Sequence, residues 1–148
     1  HVRALEATLQ LARELRAVDG SEEAREVLMK ARERLGDRVN STLSATLHAV
    51  LADVANDLGQ RDLYVESLTT AVDIFDAANA QTDNATSARF ALAQHLFEPD
   101  RDRSLQLLKR IASDLRPEGR DAALSKRFTE WLDEHHVELE NWPPGETP

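Results

Sequence analysis

Residues 43–80 read LSATLHAVLADVANDLGQRDLYVESLTTAVDIFDAANA, and this stretch decides the fold. Leu51-Ala52, Ala55, Gly59, Tyr64, Leu68 and Ala71-Val72 recur at the spacing of two antiparallel helices that meet through small residues and turn at a glycine. The first of the two runs through Leu43, Leu47, Val50, Leu51, Val54 and Leu58 to Gly59, and Asn40, Ser41 and Thr42 stand where its N-cap belongs. The second, about Gln60 to Ala80, places Leu63, Tyr64, Leu68, Val72, Phe75 and Ala78 on one side.

Working outward, the same arrangement precedes this hairpin and follows it. Val2, Leu5, Leu9, Ala12, Leu15 and Val18 mark an opening helix. Asp19-Gly20-Ser21-Glu22 then supplies a turn glycine, a capping side chain at Asp19 and a glutamate three residues on. The helix that follows buries Ala24, Val27, Leu28 and Ala31 and stops at Gly36. Downstream, Thr82 or Asp83 can cap a fifth helix from Ala85 to about Phe97, which Pro99 terminates. A sixth, about Arg101 to Leu115, uses Leu105, Leu108, Ile111, Ala112 and Leu115. Pro117 stands where a first-turn proline belongs, ahead of a seventh helix carrying Ala122, Ala123, Leu124, Phe128, Trp131, Leu132 and Val137. Residues 141–148, opening Asn141-Trp142-Pro143-Pro144-Gly145, read as an extended proline-rich tail. No stretch alternates like a strand, so the expected fold class is all-α.

The hairpins are copies of one another. Leu11-Ala12, Leu15, Ala24, Leu28 and Ala31 reappear after a shift of 40 as Leu51-Ala52, Ala55, Tyr64, Leu68 and Ala71, and a further shift of 41 gives Leu92-Ala93 and Leu96. A small residue lets two helix backbones approach while a large one a turn away fills the adjoining groove. A hairpin of this kind cannot bury its apolar face alone and must stack on a neighbour. The pattern resembles the tetratricopeptide repeat (TPR) family in a long-period, bacterial form. It departs from the family in lacking an early tryptophan, in carrying Asp19 and Asp100 at the place of Gly59, and in Tyr64 where a small residue is usual. The resemblance implies a right-handed superhelix of three hairpins, about 2–36, 42–80 and 85–115, with a capping helix at 118–140, all within one domain spanning 1–140.

Composition narrows the function. Residues 1–39 hold 8 basic and 8 acidic side chains, 40–100 hold 2 and 9, and 101–148 hold 8 and 10, giving 0, −7 and −2 and the total of −9. Phosphate backbones are bound by clustered Lys and Arg, so an acidic centre argues against direct nucleic-acid binding. With no cysteine there is no disulfide, thiolate metal site or cysteine nucleophile. No apolar run approaches the roughly 20 residues of a membrane helix and no signal peptide opens the chain, so a cytoplasmic protein is expected, with no membrane contact. The chain starts at His1 directly in helical pattern, which reads as a piece of a larger protein.

Carried onto this sequence, the TPR register implies a concave face built from the first helix of each hairpin. Glu6, Leu9, Gln10 and Arg13 come from the first; Thr46, Ala49, Val50, Asp53, Asn56 and Asp57 from the second; Ser87, Phe90, Ala91, Gln94 and Phe97 from the third. Of these, Gln10, Arg13, Asp53, Asn56, Asp57, Phe90, Gln94 and Phe97 form the candidate partner-binding groove. Aromatic anchors beside carboxylates suit a peptide or helix with apolar and basic residues; packing of Phe90 and Phe97 under the seventh helix is the alternative. The positions of the family's carboxylate clamp hold Leu9, Arg13, Val50, Ser87 and Ala91, which rejects a chaperone-tail ligand.

Catalytic chemistry is not legible. Asp133, His136 and Glu140 fall at helical i, i+3 and i+7 spacing, yet they sit near a helix end where a histidine also complements the dipole. His48 and His95 pair with no serine or cysteine pattern, and the five glycines form no phosphate loop. We therefore expect no enzyme, no cofactor and no metal. The expected function is a protein–protein interaction module from a bacterial regulatory or signalling protein, binding a protein or peptide in its groove. The alternative is a regulatory or self-association arm of a multidomain transcriptional regulator or signalling ATPase, including a homodimer, which exposed apolar residues such as Val2 and Leu5 would favour. A metal-dependent enzyme is the third class.

Overall fold

The computed structural model describes residues 2–36 and 41–145, and among them every regular element is a helix, without strand. In order come α1 (Val2–Ala17), α2 (Ser21–Leu35), α3 (Thr42–Asp57), α4 (Arg61–Ala77), α5 (Asp83–Leu96), α6 (Arg101–Asp114), a 3-10 turn at Gly119–Asp121, and α7 (Ala122–Glu134). None of the described helices is long and apolar enough to cross a membrane. The chain divides into two compact units, His1–Ala88 and Arg89–Pro148, so the dividing point falls within α5.

In the first unit α1 pairs with α2 and α3 with α4, and α3 also packs on both helices of the first hairpin. The side chains explain this nesting. Ala12, Ala24, Ala52 and Ala55 are fully buried and let the backbones close, while Leu28, Leu47 and Leu51 fill the space between them with no exposed surface. Each such leucine contributes about 1.5–3 kcal/mol through burial. The resulting core joins Leu5, Leu9, Ala12, Ala24 and Leu28 of the first hairpin to Leu47, Val50, Leu51 and Val54 of α3. Tyr64, the large residue at a small-residue position, is accommodated half-buried at the start of α4, where the Arg61 guanidinium lies 5.6 Å from its ring centre.

The turns use one device repeatedly. At the end of α3 the Gln60 amide donates to Ala55 O at 2.9 Å and the Gly59 amide to Asn56 O at 3.1 Å, with Gly59 at φ +69. Asp19 takes the same left-handed conformation at φ +61, and the Gly20 amide donates to Leu15 O at 2.7 Å. Asp19 is therefore the residue that ends α1. The capping box expected from Asp19 and Glu22 does not form, because the N-cap of α2 is Gly20, with no side-chain hydrogen bond. Asp100 does not follow Gly59 either: it caps α6, its side chain accepting from the Arg103 amide at 3.2 Å. Ser41 caps α3 in a reciprocal box with Ser44, and Thr82 Oγ1 accepts from the Ala85 amide at 3.2 Å ahead of α5. Of the other two expected cap residues of α3, Thr42 is the helix's first residue and Asn40 lies outside the described residues.

In the second unit α6 is fastened to the C-terminal part of α5 by polar contacts. Ser104 Oγ donates to Ala93 O at 2.6 Å, and the fully buried Arg89 reaches Asp114 Oδ2 at 3.6 Å, an oxygen that Arg110 Nε also meets at 2.6 Å. Helix α7 starts later and ends earlier than the sequence suggests. Pro117 is not in its first turn, since the 3-10 turn intervenes, and His136 at φ +55 closes the helix with the Val137 amide donating to Leu132 O at 2.9 Å. The following chain folds back: Leu139 is buried, and Trp142 packs on Phe128 with ring centres 5.1 Å apart while its Nε1–H donates to Thr129 Oγ1 at 3.1 Å.

Candidate partner-binding surface

The polar residues expected to line a groove in the first unit are at the surface, and Gln10, Asp53 and Asp57 each meet a partner within the unit. Gln10, Arg13, Asp53, Asn56 and Asp57 are all exposed. Asp57, however, is gripped by α1: Arg16 Nε donates to its Oδ2 at 2.6 Å, Arg16 Nη2 to its Oδ1 at 3.2 Å, and Ser21 Oγ to its Oδ2 at 3.2 Å. The hydrogen bond from Arg16, reinforced by its charge and by Ser21 against some desolvation, holds the Asp57 carboxyl below the usual carboxylate range. Asp53 meets the same guanidinium only at 3.8 Å and keeps 58% of its side chain exposed. Arg13 also lies within electrostatic reach of Asp53. Gln10 Nε2 donates to Glu14 Oε1 at 3.0 Å. The strip is thus mixed in charge, with Asp53 and Asn56 its acceptors least committed to the protein's own donors. Arg16 and Ser21 did not stand out as surface determinants in the sequence. The signal was present, because a repeat of 40 residues brings Arg16 beside Asn56 and Asp57 on the next first helix.

In the second unit the aromatic candidates are core. Phe90 and Phe97 are 5% and 6% exposed. Phe90 packs edge-on against Phe128 at 5.5 Å and Trp131 at 6.0 Å, and Phe97 against Trp131 at 5.0 Å and His135 at 5.4 Å. Arg101 covers the outer side of Phe97, its guanidinium carbon 3.6 Å from the ring centre and its Nε donating to Phe97 O at 2.6 Å. These contacts make the two phenylalanines the seat of α7, as the alternative in the sequence had it, and remove them as exposed anchors. Gln94 remains exposed and borders a shallow hollow of about 220 Å³ with Arg127, Glu130 and Glu134.

Other chemistry is sparse. Since α7 stops at Glu134, Asp133, His136 and Glu140 do not share a helical face, and the spacing argument for a metal fails. Among the described residues no group of three or more His, Asp or Glu gathers in a way that could hold a metal ion. His48, partly buried on α3, lies near the ion pair between Arg32 Nη1 and Glu66 Oε1 at 3.5 Å. Lost hydration, and then the Arg32 charge, push its imidazole below the usual value against the opposing pull of Glu66. Its Nδ1 has no hydrogen-bond partner among the described residues.

No protein-family model matches this chain, and neither does any curated protein. Its architecture is nevertheless a known one: it is a TPR-like helical repeat. It aligns at a TM-score of 0.65 with the crystal structure of nearly identical TPR-like repeats of a kinesin light chain from Podospora anserina, over 97% of this chain and 81% of that one. Sequence identity is 16%, so the likeness is one of fold.

Proposed function

We propose that this chain is a non-enzymatic protein–protein interaction module, a cytoplasmic fragment of a larger bacterial regulatory or signalling protein. In this reading the hairpins at 2–36, 42–80 and 85–115 wind into a right-handed superhelix closed by α7. A peptide or partner segment docks along the surface that α1 and α3 share. The observation that supports it is the TPR-like stacking of small-residue hairpins, an architecture whose use is to present an extended surface to another chain. The docking residues are Gln10, Arg13, Asp53 and Asn56, with Gln94 beside its own hollow; Asp57 serves to hold α1 to α3. A ligand with interspersed apolar and basic residues is the best match to Asp53 and Asn56. The test is fluorescence anisotropy of labelled peptides of that composition against the wild type and an Asp53→Lys/Asn56→Lys variant of unchanged helicity. Affinity should fall about tenfold or more, the equivalent of about 1.4 kcal/mol. Equal affinity would remove this surface, and absence of saturable binding across the peptide panel would remove the module itself.

One observation favours the self-association reading. Val2, Leu11 and Val18 on and just after α1 are 61%, 45% and 74% exposed, although Leu5, expected among them, is buried at 8%. Leu11 on α1 and Val18 just past its end lie seven residues apart. Sedimentation equilibrium of the wild type and a Leu11→Glu/Val18→Glu variant decides it: a concentration-dependent dimer lost in the variant supports this face, and a monomer at every concentration refutes it.

A further inference from the structure

We propose that residues 139–145 are an exchangeable strap, and that two copies of this chain pair by laying their straps across each other's α7. Within one chain the strap doubles back along the helix it follows. His136 at φ +55 closes α7, Leu139 is buried, Asn141 at φ +66 turns the chain again, and Trp142 reaches Phe128 and Thr129. Its hold is narrow. Beyond Trp142, the exposed Pro143, Pro144 and Gly145 border an open cleft of about 770 Å³ that separates them from α7.

Three observations favour exchange. The first is a hinge bent against its local preference. His136 and Asn141 both occupy the left-handed region, which L-residues adopt at a cost. Glu134, Glu138, Leu139 and Glu140 are good helix formers, and the sequence predicts a helix to 140, whereas α7 ends at Glu134. The second is that the bent and straight hinges exclude each other within one chain. Were α7 to continue straight, Trp142 would lie about 20 Å along the axis from Thr129, too far for their hydrogen bond of 3.1 Å. The third is the face the strap would leave. Phe128 has no exposed surface and Trp142 packs on it, so departure of the strap would bare an aromatic core residue to water. The strap of a second copy has the same sequence and restores the same ring contact and the same hydrogen bond. An exchanged dimer therefore keeps the contacts of the closed chain and sheds the left-handed turn at His136. Pairing costs freedom of motion, so the exchanged form is favoured by concentration. This interface involves neither the α1 and α3 surface nor the exposed apolar residues of α1, and stands or falls without them.

The experiment refolds the whole chain from urea at high and at low protein concentration, separates monomer from dimer by sedimentation, and reads the Trp142 indole N–H resonance in each by NMR. A dimer should form at high concentration, with that resonance where the monomer has it, because Phe128 and Thr129 are again the partners. His136→Gly adopts the turn freely and disfavours the straight helix, so it should weaken the dimer about tenfold or more. His136→Ala favours the straight helix and should tighten the dimer about fivefold. His136 is exposed, so both substitutions leave the core intact. Leu11→Glu/Val18→Glu should leave this dimer unchanged, which separates it from association through α1. A chain monomeric at every concentration, a dimer equally tight in His136→Gly and His136→Ala, a dimer lost in Leu11→Glu/Val18→Glu, or a dimer whose Trp142 resonance moves to that of a solvent-exposed indole would each overturn the assignment.

Discussion

Replacing Gly59 with alanine isolates the strain on which the repeat's turn depends. At φ +69 the backbone is in the left-handed region, yet a Cβ added there would meet no atom within 4 Å. Any loss of stability is therefore conformational, not steric. An L-residue in that region costs about 1–2 kcal/mol, partly offset because alanine also restricts the unfolded chain by about 0.4–1 kcal/mol. The net loss should be about 1 kcal/mol. Asp19, the equivalent residue one repeat earlier, already bears this strain at φ +61. For Asp19→Gly the relief of strain and the added freedom of the unfolded chain nearly cancel, so its stability should stay within about 0.5 kcal/mol of wild type. Gly20→Ala is the steric counterpart, since its Cβ would come within 2.9 Å of Leu15 O, a backbone atom, and it should cost more than Gly59→Ala. Urea unfolding followed by circular dichroism ranks the three. The reasoning is refuted if Gly59→Ala leaves the midpoint unchanged, or if Asp19→Gly is the most damaging.

Asp114→Ala would leave the buried charge of Arg89 without this carboxylate and should cost about 3–5 kcal/mol, read as an early loss of near-ultraviolet signal in thermal unfolding. Phe128→Ala, at a site with no exposed surface beneath α7, should cost about 3–5 kcal/mol and shift tryptophan emission to the red as Trp142 loses its support. Asp57→Lys should destabilise through the loss of Arg16 and Ser21 and the approach of two cations, whereas Asp53→Lys should change stability by no more than about 0.5 kcal/mol; urea midpoints compare them. On acidification two groups act in succession. His48, depressed in the folded state, contributes fully above about pH 6.5 and loses that contribution as pH falls toward its folded value, because the unfolded chain takes up the proton first. Asp57, depressed likewise, contributes fully above about pH 3.9 and loses it as pH falls through its folded value. His48→Gln should flatten the upper part of the pH–stability curve and leave the lower part intact.

Helix number and the pairing within the first two hairpins were legible because they depend on local periodicity and on which residues are small. The alternation of Leu51-Ala52 with Ala55 and the turn at Gly59 report a close helix crossing whatever lies beyond it. Helix ends were less legible. Asp19 has the composition of an N-cap, but its conformation is chosen by the hydrogen bond from Gly20 back to Leu15, which only the path of the chain reveals. The candidate surface was legible in its polar members and not in its aromatic ones. Phe90 and Phe97 fall on the register of the first helices, but five of the chain's seven aromatic residues lie in its last 60 positions, and the phenylalanines meet Trp131 and Phe128 from α7. Register specifies the side of a helix, not what covers it.

The two first helices of the first unit make the same point in burial. Shifted by 40, Leu47, Val50, Leu51, Val54 and Leu58 of the second hairpin correspond to Ala7, Gln10, Leu11, Glu14 and Val18 of the first. Helix α3, which packs against both α1 and α2, buries nine of its 16 residues, whereas α1 buries three of 16. Where α3 has Val50 and Val54 in the core, α1 has Gln10 and Glu14 hydrogen-bonded to each other in solvent. The repeat signal survives because Ala12 and Ala52, both fully buried, keep the close crossing to the second helix, while the outer face of α1 has diverged toward polarity and leaves Leu11 exposed. Val at both Gln10 and Glu14 would restore the α3 pattern on α1 and, beside Leu11 and Val18, give it a continuous apolar face. If that face is what stacking requires, the Gln10→Val/Glu14→Val variant should self-associate more strongly than wild type in sedimentation; an unchanged monomer would mean that leucine and alanine spacing alone does not make a stacking surface.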